Sequence, residues 1–363
     1  MTNKFLTFIL FLAVFSFTSC ESDNSSTEPI AIIIDGAAVT PNVGGPNEPN
    51  QVYVDLSTNT SATVQRDSWD LGFYSGTESR VIINGSIYMA AAKLETTDID
   101  AVNSLSTDVQ ELQPKVAVGT FDAANTAYVD APFGTITETA IAEISDTNEN
   151  NNVYLVNLGF EVGSETPATG SVAISGDARG WKKIRILKNG ANYVLQYADL
   201  DATTHNEITI SKNAAYNFSF FSFDTEAEVF VEPEKSNWDL NFTVFTNEIS
   251  GYGSYGYSDY ITNNTKASAQ VYMIDTDEDD STYDTFIKDD VVSANFTNDQ
   301  RSIGSSWRNG GGPGSLPSLK DNVFYVVNDT DGNLYKLKFL AFTNADGERG
   351  YPEFVYSLSL IHI

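Results

Sequence analysis

The feature that most constrains the fold of this chain is an internal repeat. The stretch QVYVDLSTNTSATVQRDSWDLGFYSG begins at Gln51, and the related stretch YNFSFFSFDTEAEVFVEPEKSNWDLNFTVFTN begins at Tyr216. Each contains an alternating apolar and polar run, then a polar interval, then Trp-Asp-Leu at the start of another run. The two tryptophans, Trp69 and Trp238, are 169 residues apart.

Three further blocks repeat in the same order. NNNVYLVNLGF matches KDNVFYVVNDT, GANYVLQYADL matches DGNLYKLKFLAF, and GSIYMA matches AQVYMI. The last match places Met89 opposite Met273. Because alternation in a strand can mimic one match but not a shared order, the sequence predicts two related modules, 51–212 and 213–363.

The blocks predict an all-β chain of antiparallel strands with few short helices. Short runs with a period of two, bounded by turn residues, are typical of strands. The predicted strands are Val52–Leu56, Trp69–Tyr74, Ser86–Met89, Val153–Leu158, Lys183–Leu187, Tyr193–Tyr197, Glu207–Ile210, Phe218–Phe223, Trp238–Phe245, Ala269–Ile274, Val323–Val327, Leu334–Phe342 and Phe354–Leu360. Asp331-Gly332 and Asn189-Gly190 indicate hairpin turns. The best helix signals are around Thr97–Val102 and Ser281–Lys288.

The N-terminus indicates export. Lys4 precedes an apolar run from Phe5 to Phe17 that is too short for a comfortable transmembrane span. Cys20 follows small residues at its end, so residues 1–19 resemble a bacterial lipoprotein signal peptide, with Cys20 as the lipidated residue. The acidic residues after Cys20 resemble the surface-export signal of Bacteroidetes lipoproteins. Residues 20–50, rich in Asn, Ser, Pro and Gly, indicate a flexible tether.

Charge and cysteine content exclude several function classes. The chain carries 49 acidic against 20 basic residues, a net charge of −29. This negative field repels phosphate backbones, so nucleic acid is excluded as a partner. Cys20 is the only cysteine, which excludes an internal disulfide. No other apolar stretch approaches 18 residues, so the membrane is expected as a partner only through the lipid anchor.

The repeated blocks resemble the HmuY family of Bacteroidetes haem-capturing lipoproteins. The resemblance rests on the two Trp-Asp-Leu strands, on the later hairpin VFYVVNDTDGNLYKLKFLAF, and on YPEFVYSLSL near the end. It covers most of residues 51–363. It implies an all-β fold that binds haem or a related porphyrin at its periphery and passes it to an outer-membrane transporter. In that family the iron ligands are His pairs in some members and Met in others.

Haem iron takes axial ligands from His, Met, Tyr or Cys thiolate. His205 and His362 are the only histidines, and neither matches a family ligand. His205, at the entry to a predicted strand, is a candidate ligand; the alternative is a surface histidine. Met89 and Met273, each after a tyrosine, are a candidate thioether pair; the alternative is that both fill the core.

The segment GYGSYGYSDY, residues 251–260, offers tyrosines among glycines in a predicted loop. Tyr255 and Tyr257 are candidate residues for stacking on a planar ligand, whether porphyrin or sugar. Trp307 and Arg308, in a second long loop, are candidates for ring stacking and for pairing with a propionate. For residues 251–260 the alternative is a mobile hairpin tip. For the second loop it is a Gly/Pro connector with one anchored Trp.

An enzyme is not expected. A nucleophilic triad needs a base, and the chain has only two histidines. It also has no serine in a Gly-x-Ser-x-Gly motif. Residues 275–280, DTDEDD, suggest calcium but lack the EF-hand pattern, so only a looser site is possible there. The sequence thus favours a haem-binding surface lipoprotein, with a module for glycan or a protein partner as the alternative and a polysaccharide-degrading accessory enzyme as the last.

Overall fold

The structure is a computed structural model, and it describes residues 36–312 and 315–358. Several predictions fall outside the described residues: the signal peptide, residues 20–35 of the tether with Cys20, and His362. The remainder of that segment includes a strand, Gly36–Val39, and a 3-10 turn, Gly45–Asn47. All the described residues belong to one compact unit.

The described residues form 22 strands. Those of the first half, here called the first repeat, are β1 (Gly36–Val39), β2 (Asn50–Asp55), β3 (Thr60–Gln65), β4 (Leu71–Tyr74), β5 (Val81–Ile83), β6 (Ala90–Lys93), β7 (Val153–Asn157), β8 (Phe160–Val162), β9 (Ser175–Ala178), β10 (Trp181–Asn189) and β11 (Asn192–Asp199).

The strands of the second repeat are β12 (Asn206–Ile210), β13 (Phe218–Ser222), β14 (Ala227–Val229), β15 (Leu240–Ile249), β16 (Gly253–Asn263), β17 (Gln270–Asp275), β18 (Arg308–Asn309), β19 (Ser318–Leu319), β20 (Val323–Asn328), β21 (Leu334–Thr343) and β22 (Arg349–Ser357). The helices are α1 (Thr107–Leu112) and 3-10 turns at Gly45–Asn47, Gly85–Ile87, Ala123–Tyr128, Asn148–Asn150, Thr265–Ala267, Lys288–Asp290 and Ser293–Asn295.

The strands confirm the predicted all-β class, and every pairing between them is antiparallel. Two outer sheets have the orders β12-β11-β10-β7-β6 and β1-β22-β21-β20-β17. Two inner sheets have the orders β14-β13-β4-β5 and β16-β15-β2-β3. Each inner sheet combines two strands of each repeat, so the two repeats are interleaved through backbone hydrogen bonds. Each outer sheet takes only an edge strand, β12 or β1, from the other repeat, and β12 lies within residues 51–212 of the predicted first module.

Three apolar clusters order these sheets into layers. One packs an inner sheet, through Leu71 and Phe73, against an outer sheet, through Val156 and Ile184. A second does the same for the other pair of sheets. A third, built of Tyr53, Trp69, Phe218, Phe220, Val231 and Trp238, lies between the two inner sheets. The fold is therefore two β-sandwiches whose inner sheets face each other.

The Trp-Asp-Leu repeat has a structural cause. The carboxylate of Asp70 accepts a hydrogen bond from the backbone of Phe223 (2.7 Å) and that of Asp239 accepts one from Leu56 (2.9 Å). Each aspartate thus closes a hairpin that belongs to the other repeat. Buried backbone donors need such acceptors, which explains why the same residue type stands at both places.

Two asparagines complete the arrangement. The amide of Asn84 donates to the carbonyl of Trp69 (2.7 Å), and that of Asn264 donates to the carbonyl of Trp238 (2.9 Å). The backbone carbonyl of Asn84 accepts from the backbone N–H of Met89, and that of Asn264 accepts from the backbone N–H of Ala269. Met89 therefore corresponds to Ala269, and the predicted equivalence of Met89 and Met273 is wrong.

The repeat alignment is also wrong at its last hairpin. β20 pairs with β21 in the second repeat, and β7 pairs with β10 in the first. The counterpart of β21 is therefore β10 and not β11. Sequence matching missed this because the tight turn before β21 is replaced in the first repeat by residues 158–180, which carry the β8–β9 pair.

Local predictions failed where side chains override periodicity. Residues 97–102 and 281–287 form turns instead of helices, and α1 lies at Thr107–Leu112. The predicted strand Ser86–Met89 is a 3-10 turn followed by β6, because the Asn84 side chain accepts a hydrogen bond from the Ser86 backbone at 3.0 Å. The predicted strand at Phe354 begins earlier, at Arg349.

Candidate functional site

The most prominent candidate site is an aromatic surface on β16. Residues 253–260, predicted as a loop, belong to this strand, which pairs with β15 through a turn around Tyr252. Tyr255 and Tyr257 stand two residues apart, and their rings meet edge to face at 5.7 Å. The ring of Phe121 lies 5.9 Å from that of Tyr255. We call Phe121, Tyr255 and Tyr257 the aromatic face.

The aromatic face is open to solvent. Tyr255 is 40% exposed and Phe121 is 65% exposed, and the nearby turn residue Tyr252 is 58% exposed. Large apolar side chains usually avoid such exposure when they sit together, so a cluster of this kind marks an interaction surface. Aromatic rings offer both apolar area and, for tyrosine, a polar hydroxyl.

Hydrogen bonds hold Phe121 against β16. The buried Asn125 accepts from the backbone of Ser254 (2.6 Å) and donates to Thr120 (2.7 Å). Gly253 has φ +87°, and a Cβ there would lie 2.2 Å from the carbonyl oxygen of Asp122. The loop therefore approaches the strand closely only because this residue has no side chain.

Tyr88 supports the aromatic face from the first repeat. Gly256 leaves room for its ring, since a Cβ at that glycine would lie 2.2 Å from the ring atoms. Burial raises the pKa of the Tyr88 phenol, so this hydroxyl stays neutral. The ring also contacts Phe160 edge to face, with centroids 6.4 Å apart. No local sequence pattern indicated that Tyr88 and Phe121 would join the tyrosines of β16.

A cleft of about 330 Å³ adjoins the same hairpin. Its walls include Thr246, Asn247 and Glu248 of β15 and residues 126–127, 129–133 and 138–140. Asn247 is the cross-strand neighbour of Tyr255, so the cleft and the aromatic face share one side of the hairpin. A volume of this size is at the lower end of the range for small-molecule sites.

His205 lies elsewhere, just before β12 at the edge of an outer sheet. Its Nδ1 is 2.9 Å from Asp100 Oδ1, and its side chain is 25% exposed. A carboxylate on one ring nitrogen orients an imidazole so that the other nitrogen can bind a metal. The geometry suits a ligand, but it does not bring His205 to the aromatic face.

The two candidate methionines are separated. Met89 is fully buried in the core between an inner and an outer sheet. Met273 is 41% exposed on β17, in the other outer sheet. The structure does not place the two sulfurs as a pair around one ligand.

Trp307 and Arg308 do not face solvent as ligand contacts would. Trp307 is 1% exposed and stacks on Phe339 with centroids 4.4 Å apart. Arg308 points to Asp259, with a Nε–Oδ2 distance of 4.0 Å, and its side chain is 9% exposed. The loop is therefore a connector with an anchored tryptophan, and it does not present Trp307 for stacking on a ligand.

Within residues 36–312 and 315–358, no group of three or more His, Cys, Asp or Glu side chains is placed to hold a metal ion. Those same ranges contain no helix long and apolar enough to cross a membrane.

Comparison with known proteins gives one family and several remote structures. A solved structure described as a lipoprotein of Bacteroides fragilis is 13% identical, covering 50% of this chain and 91% of its own, with a TM-score of 0.23. One described as HmuY-like and heme binding, from Bacteroides vulgatus, is 10% identical and covers 93% and 97%, with a TM-score of 0.23. The apo HmuY analog of Tannerella forsythia is 10% identical and covers 88% and 94%, with a TM-score of 0.24.

No curated protein matches the sequence. The family model, in contrast, spans nearly all of the interleaved strands. It is described as HmuY protein and matches residues 47–356. The chain therefore belongs to the HmuY family.

Proposed function

We propose that this protein binds haem or a related porphyrin on the aromatic face of β16. The observation that carries the proposal is the exposed ring of Tyr255, with the half-buried ring of Tyr257 and the exposed ring of Phe121 beside it. Two rings on a hydrogen-bonded hairpin, and a third on the loop held against it, provide apolar area for a flat macrocycle at little entropic cost. Membership in the HmuY family supports haem as the guest.

The aromatic face also supplies a ligand chemistry for iron. A tyrosine oxygen is an established axial ligand of haem iron. Tyr255 and Tyr257 are the tyrosines of this face, and the adjoining cleft gives depth beside β15. His205 is the second candidate, because Asp100 orients its ring, and Met89 and Met273 follow it.

We also propose the setting in which this binding takes place. The signal-like N-terminus supports a lipid anchor at Cys20 on the outer membrane, facing the cell exterior, and transfer of haem to an outer-membrane transporter. The role is binding and not catalysis. The repeated Trp-Asp-Leu geometry supports duplication of one ancestral module, with modules 51–212 and 213–363 as its descendants.

The test is a haemin titration of residues 21–363 followed by absorption spectroscopy. A shifted Soret band is expected for the unmodified protein. The double variant Tyr255→Phe/Tyr257→Phe keeps the rings and removes the hydroxyl groups, so it is expected to change the spectrum while retaining binding. Tyr255→Ala/Tyr257→Ala removes the rings and is expected to weaken binding at least tenfold, a loss of about 1.4 kcal/mol.

Phe230→Ala is the matched control, since Phe230 is an aromatic residue 90% exposed that directly follows β14, in the other inner sheet. It should bind haemin as the unmodified protein does. A band lost only in His205→Ala would move the site to His205. A spectrum of free haemin throughout would refute haem binding and favour glycan or a protein partner for the aromatic face.

A further inference from the structure

A second cavity lies between the two inner sheets, separate from the aromatic face. Its volume is about 170 Å³. Five aromatic side chains of the inter-sheet cluster contribute to its walls: Tyr53, Trp69, Phe218, Phe220 and Trp238. They come from both repeats, so this space exists only because the repeats are interleaved.

The walls follow the internal repeat. Trp69 meets Phe220 edge to face with centroids 4.9 Å apart, and Trp238 meets Tyr53 in the same way at 5.0 Å. In each pair the tryptophan comes from one repeat and its partner from the other. The two pairs therefore form related aromatic walls.

Hydrogen bonding breaks this symmetry. The indole N–H of Trp69 donates to Gln51 Oε1 at 2.8 Å. Strand pairing shows that the residue corresponding to Gln51 is Phe218, which has no side-chain acceptor. The indole N–H of Trp238 accordingly has no partner among the described residues, although the residue is only 8% exposed.

Two asparagines add unpaired acceptors to the same walls. Asn241 is 8% exposed and Asn263 is 3% exposed. The Oδ1 atom of each lacks a donor within the described part of the chain. Leaving a buried polar atom without a partner is unfavourable, and cavities that stay empty are normally lined by apolar groups. A guest that pairs with these atoms must accept a hydrogen bond from the indole N–H and donate one to an asparagine oxygen.

Charged groups sit at one side of the cavity. Glu232 accepts a hydrogen bond from the backbone of Phe218 at 2.9 Å, and Asp130 accepts from Ile83 and Ala140, both at 2.9 Å. Lys266 contacts the face of Phe218, with its Nζ 5.5 Å from the ring centroid. This polar end lies beside the aromatic walls.

The segment 131–138 covers the cavity. Gln300 donates to the carbonyl of Pro132 at 2.9 Å, and Lys266 donates to that of Gly134 at 3.2 Å. The guanidinium of Arg301 lies 4.0 Å above the ring of Phe133. The segment is thus held by a few side chains over a cavity that the outer cleft adjoins.

We propose that this cavity binds a small planar ring compound that carries a hydroxyl or amino group. A cavity of about 150 Å³ accommodates benzene, so a single ring fits here, whereas a porphyrin does not. Aromatic walls favour a flat apolar body. The unpaired indole N–H and asparagine oxygens require a polar substituent. The site goes beyond haem binding and shares none of the aromatic-face residues.

Phenol is the probe, and isothermal titration calorimetry of residues 21–363 is the measurement. Saturable binding of phenol is expected, with benzene at least fivefold weaker because it cannot satisfy the unpaired atoms. Thr262→Leu places a larger side chain in the cavity wall, since Thr262 is the cross-strand neighbour of Asn241. It is expected to abolish binding.

Trp238→Phe keeps a ring and removes the unpaired N–H, so it is expected to weaken phenol binding about fivefold while benzene binding is unchanged. If Thr262→Leu does not fold, Trp238→Phe alone tests whether phenol binds in the cavity. Trp181→Phe, outside the cavity, is the control and should bind as the unmodified protein does. No saturable heat with phenol, or equal heat with Thr262→Leu, would overturn the proposal.

Haemin distinguishes this site from the proposed function. Phenol affinity should be the same with and without saturating haemin, and the same in Tyr255→Ala/Tyr257→Ala. Loss of phenol binding in that double variant would place phenol on the aromatic face and refute the cavity site.

Discussion

At the residue scale, Asp70 and Asp239 occupy related places with different neighbours. The Asp70 carboxylate pairs with Arg179, with an Nη1–Oδ1 distance of 2.6 Å and little exposure of either side chain. Asp239 accepts instead from the backbone of Leu56 and Thr330. Burial raises the pKa of Asp239 to about 7, and burial also raises that of Asp70, where the Arg179 guanidinium opposes the shift.

This difference predicts unequal costs for one substitution. Asp70→Asn leaves the buried Arg179 guanidinium short of its main partner, so a loss of about 3 kcal/mol in the free energy of unfolding is expected. Asp239→Asn removes one acceptor and no ion pair, so about 1 kcal/mol is expected. Urea denaturation measures both values. Equal losses would contradict the assignment of the ion pair as the distinguishing contact.

The carboxyl of Glu232 predicts a pH dependence of stability. Burial raises its pKa from 4.5 to about 7. The folded protein therefore holds this proton over a pH range in which the unfolded chain has released it. Stability conferred by the protonated form is lost as pH rises from about 4.5 to about 7, by about 3 kcal/mol at most.

Glu232→Gln keeps the acceptor for Phe218 and removes this titration. Its unfolding free energy should fall less steeply between pH 4.5 and pH 7 than that of the unmodified protein, as urea denaturation at several pH values would show. Glu234→Gln, at an exposed position two residues on, is the control. An unchanged slope in Glu232→Gln would contradict the role of the buried carboxyl.

At the element scale, β16 shows what periodicity can and cannot predict. Alternation predicted most of the strands, because period-two burial is local in sequence. Glycine and tyrosine in residues 251–260 suggested a loop, yet pairing with β15 makes the segment a strand. The contacts of Tyr88 and Phe121 with this strand come from distant chain segments, so no local pattern announces them.

Gly256 tests how the aromatic face is supported. Gly256→Ala places a Cβ against the Tyr88 ring, so the ring must move and haemin affinity should fall severalfold. Gly85→Ala is a matched control, because its Cβ would meet Thr246 at an ordinary 3.4 Å. Titration with haemin under identical conditions compares the two. Unchanged affinity in Gly256→Ala would show that Tyr88 does not shape the surface.

At the scale of the whole molecule, the repeats are joined through shared sheets. Sequence comparison matched Trp69 with Trp238, and the two residues hold related places in the fold. It did not reveal that β2 would pair with β15 and β4 with β13. A strand has the same hydrophobic pattern whether it pairs within its own repeat or with the other repeat. The pattern therefore does not predict which strands pair.

Interleaving predicts one cooperative unfolding transition. Neither repeat keeps its inner sheet without strands from the other, so the two cannot unfold separately. Calorimetry of residues 21–363 should give one peak with equal calorimetric and van't Hoff enthalpies. Two resolved peaks would contradict the interleaved arrangement.

The central claim is that a porphyrin binds on the aromatic face. X-ray diffraction from crystals of the haemin-loaded protein, recorded near the iron absorption edge, would locate the iron by its anomalous signal. The account predicts one peak beside the rings of Tyr255 and Tyr257. A peak next to His205, or beside Met273 on β17, would contradict it.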